Sequence, residues 1–145
     1  GEANLLPGTV EGRDGGVACV AVAGGTVSVP DSQDASGPVL VMVRPEKVRV
    51  GREAPSGTHA GIPATVDEVI FRGATVHVGL VTADGANLVA HLTDDRALDG
   101  LRPRDPAWAS WEQDVAYLVP AAGGHSAAPP DPLEELAAKP LGGTP

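Results

Sequence analysis

A chain of 145 residues, 42% of them hydrophobic, is long enough to bury most of its apolar surface in one ordinary domain or in two small halves that share a core. Only 3% are aromatic, so Val, Leu, Ile and Ala must build that core, and 19 glycines with 14 prolines exclude long helices before the C-terminal stretch, because an interior proline costs a helix ~3 kcal/mol. The formal net charge of -9 opposes a phosphate backbone and argues against a nucleic-acid role, which gains from counterion release only with the opposite sign.

In chain order the strand candidates are Leu5 to Glu11, Val17 to Ala23, Thr26 to Val29, Val39 to Val43 and Lys47 to Val50. After a loop from Gly51 to Gly61 come Ala64 to Phe71, Thr75 to Val81, Asn87 to Leu92, Ala107 to Trp111 and Val115 to Val119. Asp14-Gly15-Gly16, Gly24-Gly25, Pro30-Asp31-Ser32, Gly73 and Asp84-Gly85 supply the turn chemistry between them. Short strands at this spacing predict an all-β barrel or sandwich. Beyond Pro120 the composition turns to Ala, Gly and Pro, so residues 121–145 are expected to form a flexible tail, with a two-turn helix signal from Asp131 to Pro140. Asn4-Leu5-Leu6 begins strand-like with no lead-in, as expected of a piece of a longer protein.

The strands repeat. Gly8-Thr9-Val10-Glu11-Gly12 with the two strands after it parallels Ala64-Thr65-Val66-Asp67-Glu68 with its two, giving pseudo-repeats of about 1–50 and 61–119. Three-strand patterns recur by chance in valine-rich chains, so duplication and coincidence both stand at this level. Half-barrels that pair would hide the free edges on which lone sheets aggregate.

Few motifs that carry chemistry occur in the chain. No Gly-x-x-x-x-Gly-Lys-Ser/Thr phosphate loop occurs, so ATP hydrolysis by this stretch alone is not expected. The four histidines are too scattered for a zinc motif. If Asp84-Gly85 is a two-residue turn, Val78 faces His91 and His77 faces Leu92, which places the two imidazoles on opposite faces and rules out a shared metal unless a bulge intervenes. Asp67-Glu68 and Asp94-Asp95 are adjacent carboxylates of the kind that solvated turns and strands carry. Ser110 lacks a nucleophile elbow. Cys19 sits in an apolar run as a small hydrophobe. Trp108 and Trp111 read as edge or interface packing, since Phe71 and Tyr117 are the only other rings and a stacking groove uses several. No segment approaches the ~20 apolar residues of a membrane span, so direct insertion is not expected.

Gly1 with Asn4, then Arg44-Pro45-Glu46, then Phe71-Arg72-Gly73, the Asp84-Gly85 hairpin, and Ser110-Trp111 with Asp114 to Val119 together resemble the transport-associated OB-like (TOBE) region that follows the motor domain in ATP-binding subunits of ABC importers of the polyamine, ferric-iron and sugar type. Pro103-Arg104-Asp105-Pro106 departs from the Gly-Asp turn common there. The resemblance implies an OB-like domain over residues 1–120 that does no chemistry itself. The resemblance further implies packing on its own nucleotide-binding domain and on a second copy in a homodimer, only indirect contact with the permease, and coupling of ATP hydrolysis to transport, polyamine transport first. ATP and Mg belong to the motor domain, with no cofactor or metal here, and the setting implied is the cytoplasmic face of the cell membrane. Interface and structural candidates are Asn4, Arg44, Pro45, Glu46, Gly73, Trp108 and Trp111. Pro45 stiffens the corner and pushes Arg44 to extended backbone; Arg44 offers a planar donor fork and Glu46 an acceptor, either for a partner or for a salt bridge within the corner. A second reading, from related OB-like domains, is a module for small oxyanions such as molybdate; a nucleic-acid-binding OB domain is third.

Overall fold

Buried valine, leucine and alanine fall at every second position along most of the strands, the period-two pattern of a sheet with one face on the core. The computed structural model describes residues 2–121. They form β1 (Asn4–Asp14), β2 (Val17–Val22), β3 (Gly25–Pro30), β4 (Gly37–Val43), β5 (Arg49–Gly51), β6 (His59–Arg72), β7 (Thr75–Val81), β8 (Asn87–Leu92), β9 (Pro106–Glu112) and β10 (Tyr117–Pro120). Three 3-10 turns, Pro45–Lys47, Asp95–Leu98 and Gln113–Val115, are the only helical elements among the described residues. Gly1, the tail from residue 122 and its helix signal lie outside the described residues.

Two five-stranded antiparallel sheets result, in the orders β10-β4-β1-β2-β3 and β5-β9-β6-β7-β8. The halves follow one strand plan: each runs long strand, hairpin, fourth strand, 3-10 turn and a short last strand, with the 3-10 turn Asp95–Leu98 added before the fourth strand of the second half. That last strand crosses over, so β5 completes the second half's sheet and β10 the first half's. Each long strand carries a bulge at the same point, with Glu11 extra in β1 and Asp67 extra in β6. Inward positions make one core, including Val20, Val29, Val41, Ile62, Val78, Leu80, Leu88 and Trp111. At matching inward positions β4 supplies Val39, Val41 and Val43, whereas β9 supplies Ala107, Ala109 and Trp111. One large ring thus offsets two small side chains, which keeps core volume similar in both halves.

Several expectations change. The strand at Lys47 begins instead at Arg49, because buried Pro45 starts a 3-10 turn that takes up Lys47. The last strand begins at Tyr117 for the same reason, with Gln113–Val115 as the turn. The loop after Gly51 ends early, as β6 pairs with β9 from His59 onward. At the start of β9, Arg104 takes a φ of 80° and Asp105 accepts from the Arg102 amide, which fixes the register Thr65↔Pro106.

Candidate functional site

Arg44 has φ -75° and ψ 145°, the extended backbone that a following proline favours. Pro45 is buried, and the corner is held by backbone bonds from Lys47 N to Arg44 O (2.9 Å) and from Val48 N to Pro45 O (3.2 Å). Arg44 and Glu46 are exposed, and among the described residues neither makes an ion pair or side-chain hydrogen bond. Burial of the proline braces the corner and leaves the Arg44 fork free. The matching corner in the second half replaces Arg44 with Glu112, which accepts from Thr58 Oγ1 at 2.8 Å.

Asn4 is 5% exposed and acts as a strand's worth of backbone. Its Nδ2 donates to Val89 O at 2.9 Å and its Oδ1 accepts from Val89 N at 2.8 Å, so one side-chain amide caps the outer edge of β8 and ties the two sheets together. Gly73 has a φ of 60° in the β6–β7 turn, which explains the glycine without giving it a contact role. The tryptophans part company. Trp111 is 1% exposed, so the edge or interface reading is corrected for it: its inward position on β9 makes it core. Trp108 is half-buried on the outer face, paired with Pro63 across to β6, and lines a groove with Arg52, Thr65, Val81 and Thr82. Cys19 is likewise half-buried on an outer face, not in the core.

The outer face of the first sheet carries a contiguous apolar patch. Leu5 and Tyr117 flank Met42 in register, and Pro7 and Val119 flank Leu40. Leu5 is 47% and Tyr117 56% exposed. On these strands no charge appears outward until the bulge at Glu11, although the chain as a whole carries -9.

The second sheet's outer face differs, and here the sequence reading is overturned. Thr82 N bonds to Ala86 O, so the β7–β8 connection is a loop around Thr82–Ala86, and His77 lies directly opposite His91. The rings stack with centroids 3.8 Å apart and planes 13° from parallel. The shift of one residue puts both imidazoles on one face. Thr82 was the missed signal: its hydroxyl bonds Asp84 and takes the Ala86 amide, organising the wider loop. Desolvation, then the neighbouring His91 and Arg72, holds the His77 pKa below the ordinary imidazole value, against the pull of Glu2.

Sequence reasoning also missed the Arg13–Asp31 pair. Asp31, read only as a turn residue, is buried and accepts from the Arg13 guanidinium and from the amides of Gln33 (3.2 Å) and Ala35 (2.8 Å). Arg13 lowers its pKa, with the two amides adding to the effect and burial opposing.

Set beside known proteins, this sandwich falls into a defined class. Residues 41–119, more than half of the chain, match the family model described as the TOBE domain. The chain belongs to the TOBE domain family. It is 36% identical over 117 residues to the spermidine/putrescine import ATP-binding protein PotA of Rubrobacter xylanophilus, covering 77% of this chain and 30% of that protein. With the PotA of Thermobifida fusca identity is 32% over 83 residues, 57% of this chain and 22% of that protein. The chain therefore spans less than a third of the length of these curated relatives. Its fold is that of the cytoplasmic molybdate-binding protein ModG, solved with molybdate bound: TM-score 0.70 at 19% identity, over 81% of this chain and 96% of that one. No helix among the described residues is long and apolar enough to cross a membrane.

Proposed function

We propose that this chain is the accessory region of an ABC importer's ATP-binding subunit, of the polyamine type, and that it joins two such subunits and couples ATP hydrolysis to transport. The carrying observation is its membership of the TOBE family together with its similarity to two PotA proteins. The patch around Leu5, Met42 and Tyr117 supplies the contact surface for a second copy. Like-charged molecules approach most easily through a face without charge, and contiguous apolar patches on soluble domains mark interaction sites. The exposed Arg44 corner adds a donor fork at the same end of β4. In this reading the chain hydrolyses no ATP itself and works at the cytoplasmic face of the membrane, touching the permease only through the motor domain.

The test joins the chain to its motor domain and reconstitutes the transporter. Tyr117→Glu is expected to weaken subunit association in sedimentation and to lower ATP turnover coupled to spermidine uptake, with the fold retained in circular dichroism. Unchanged association and coupling would overturn the reading. The fold likeness to ModG favours oxyanion binding as a second reading. Isothermal titration with molybdate, tungstate and sulfate separates the two, because saturable binding by the isolated chain belongs only to the second.

A further inference from the structure

His77 and His91 are opposed residues on β7 and β8, and Thr82 N→Ala86 O fixes which pairs in this ladder exchange hydrogen bonds. Alternation from Thr82↔Ala86 makes Leu80↔Leu88 and Val78↔Ala90 the bonded pairs and His77↔His91 a non-bonded one. Side chains of a non-bonded pair approach most closely, which accounts for rings only 3.8 Å apart and nearly parallel. In the stack the nitrogen lone pairs lie in two nearly parallel planes and do not meet. Because the pair is cross-strand and non-bonded, with Cα atoms ~4.5 Å apart, turning both rings out of the stack about their χ angles brings one nitrogen of each within ~2.1 Å of a common ion. The carboxylate of Glu2 lies 3.6 Å from His91 Nε2, and Glu68 lines the same shallow cavity of the outer face.

From this geometry we propose that His77 and His91 clip one late first-row divalent ion, of the class of Zn²⁺, Ni²⁺ or Cu²⁺, for which imidazole is the favoured ligand. Among the described residues no three of His, Cys, Asp and Glu assemble into a full ligand set, so the clip is two-pointed and water fills the remaining positions. Such a site is weak and exchangeable. Its structural effect is to pin the β7–β8 hairpin at the edge that Asn4 caps, two residues from His91 at Val89. The inference is independent of the importer reading, because it uses only the register and the rings.

The test is isothermal titration of Ni²⁺ into the whole chain, prepared without a polyhistidine tag. One ion per chain is expected, with affinity at least tenfold lower in both His77→Ala and His91→Ala and unchanged in His59→Ala and His125→Ala. His77→Gln, close in size and polar, repeats the first test should the alanine variant fold poorly; circular dichroism checks each variant. Absence of saturable one-to-one binding by the unaltered chain would overturn the proposal. So would a loss confined to one of the two histidines, since a shared ion needs both, or binding that follows His59 or His125.

Discussion

The two halves of this domain share a strand plan, a bulge and an exchanged last strand, yet they use their outer faces in opposite ways. The first sheet shows water an apolar patch of Leu5, Pro7, Leu40, Met42, Val119 and Tyr117; the second shows Arg49, Glu68, His77, His91 and the groove beside Trp108. Because the core positions must fit one common interior, they change only by trading volume, as Val43 does for Trp111. The outward positions carry no such constraint. Fold is kept by one set of alternating residues and function is free to differ on the other.

The trade of volume sets the largest expected effect. Trp111→Ala removes a buried ring and leaves a cavity, which should cost about 3–5 kcal/mol. Val43→Ala at the matching position of β4 deletes far less and should cost about 1.5 kcal/mol by the transfer term alone. Urea unfolding of both variants checks the ratio. Equal costs would mean that the halves do not share one packed interior.

Asp31 gives the next effect, and only in the first half, since every other ion pair among the described residues uses an exposed carboxylate. Its folded pKa lies below the ordinary value of 3.8, so its contribution is full above 3.8 and is lost as pH falls through the lower folded value. Asp31→Asn should remove about 2 kcal/mol at pH 7, the scale of hydrogen bonds to a charged group, and should flatten the acid limb of thermal melts. A variant whose melting temperature falls with acid as steeply as the unaltered chain would assign that limb to other carboxylates, Asp84 first among them because Thr82 also holds its pKa low.

Asn4 tests how the halves are joined. Asn4→Ala forfeits two hydrogen bonds and leaves Val89 N–H and C=O to whatever water reaches a half-buried edge, for a cost of about 1–2 kcal/mol. Amide exchange should quicken at Val89 before it does in β2 or β4. Uniform quickening across both sheets would show that the cap has no local role.

The fold was legible because its signal is period-two alternation and glycine turns, which survive without knowledge of partners. All ten strand candidates have a counterpart, those at Thr75 and Asn87 without any shift and the rest with shifted ends. The strands expected at Lys47 and Val115 start two residues later, after 3-10 turns whose cause is tertiary: Pro45 buried against the core and Val115 packed on it. Site detail was less legible. One residue's difference in the β7–β8 loop reversed the relation of His77 to His91, since a strand flips every side chain with each step of register. The Asn4 cap spans 85 residues and the Arg13–Asp31 pair 18, so no local pattern announced either.

Arg44 carries the smallest expected change in stability and the sharpest use of the comparison. Glu112, its counterpart at the end of β9, is engaged by Thr58, whereas Arg44 is exposed and unbonded among the described residues, with its corner held by Pro45 and two backbone bonds. Arg44→Ala should therefore shift stability by no more than about 0.5 kcal/mol, as for a surface side chain away from special features. Under the proposed dimer role the same change should weaken self-association in sedimentation, more at low salt than at high, because an exposed guanidinium acts over a Debye length of ~8 Å at physiological ionic strength. Glu112→Ala supplies the internal control: it breaks the Thr58 bond and should lower the melting temperature slightly while leaving association as it was. An Arg44→Ala domain that melts lower but associates normally would make the corner a structural brace after all, and one unchanged in both measurements would remove Arg44 from the proposed dimer contact and leave that proposal resting on the apolar face around Tyr117.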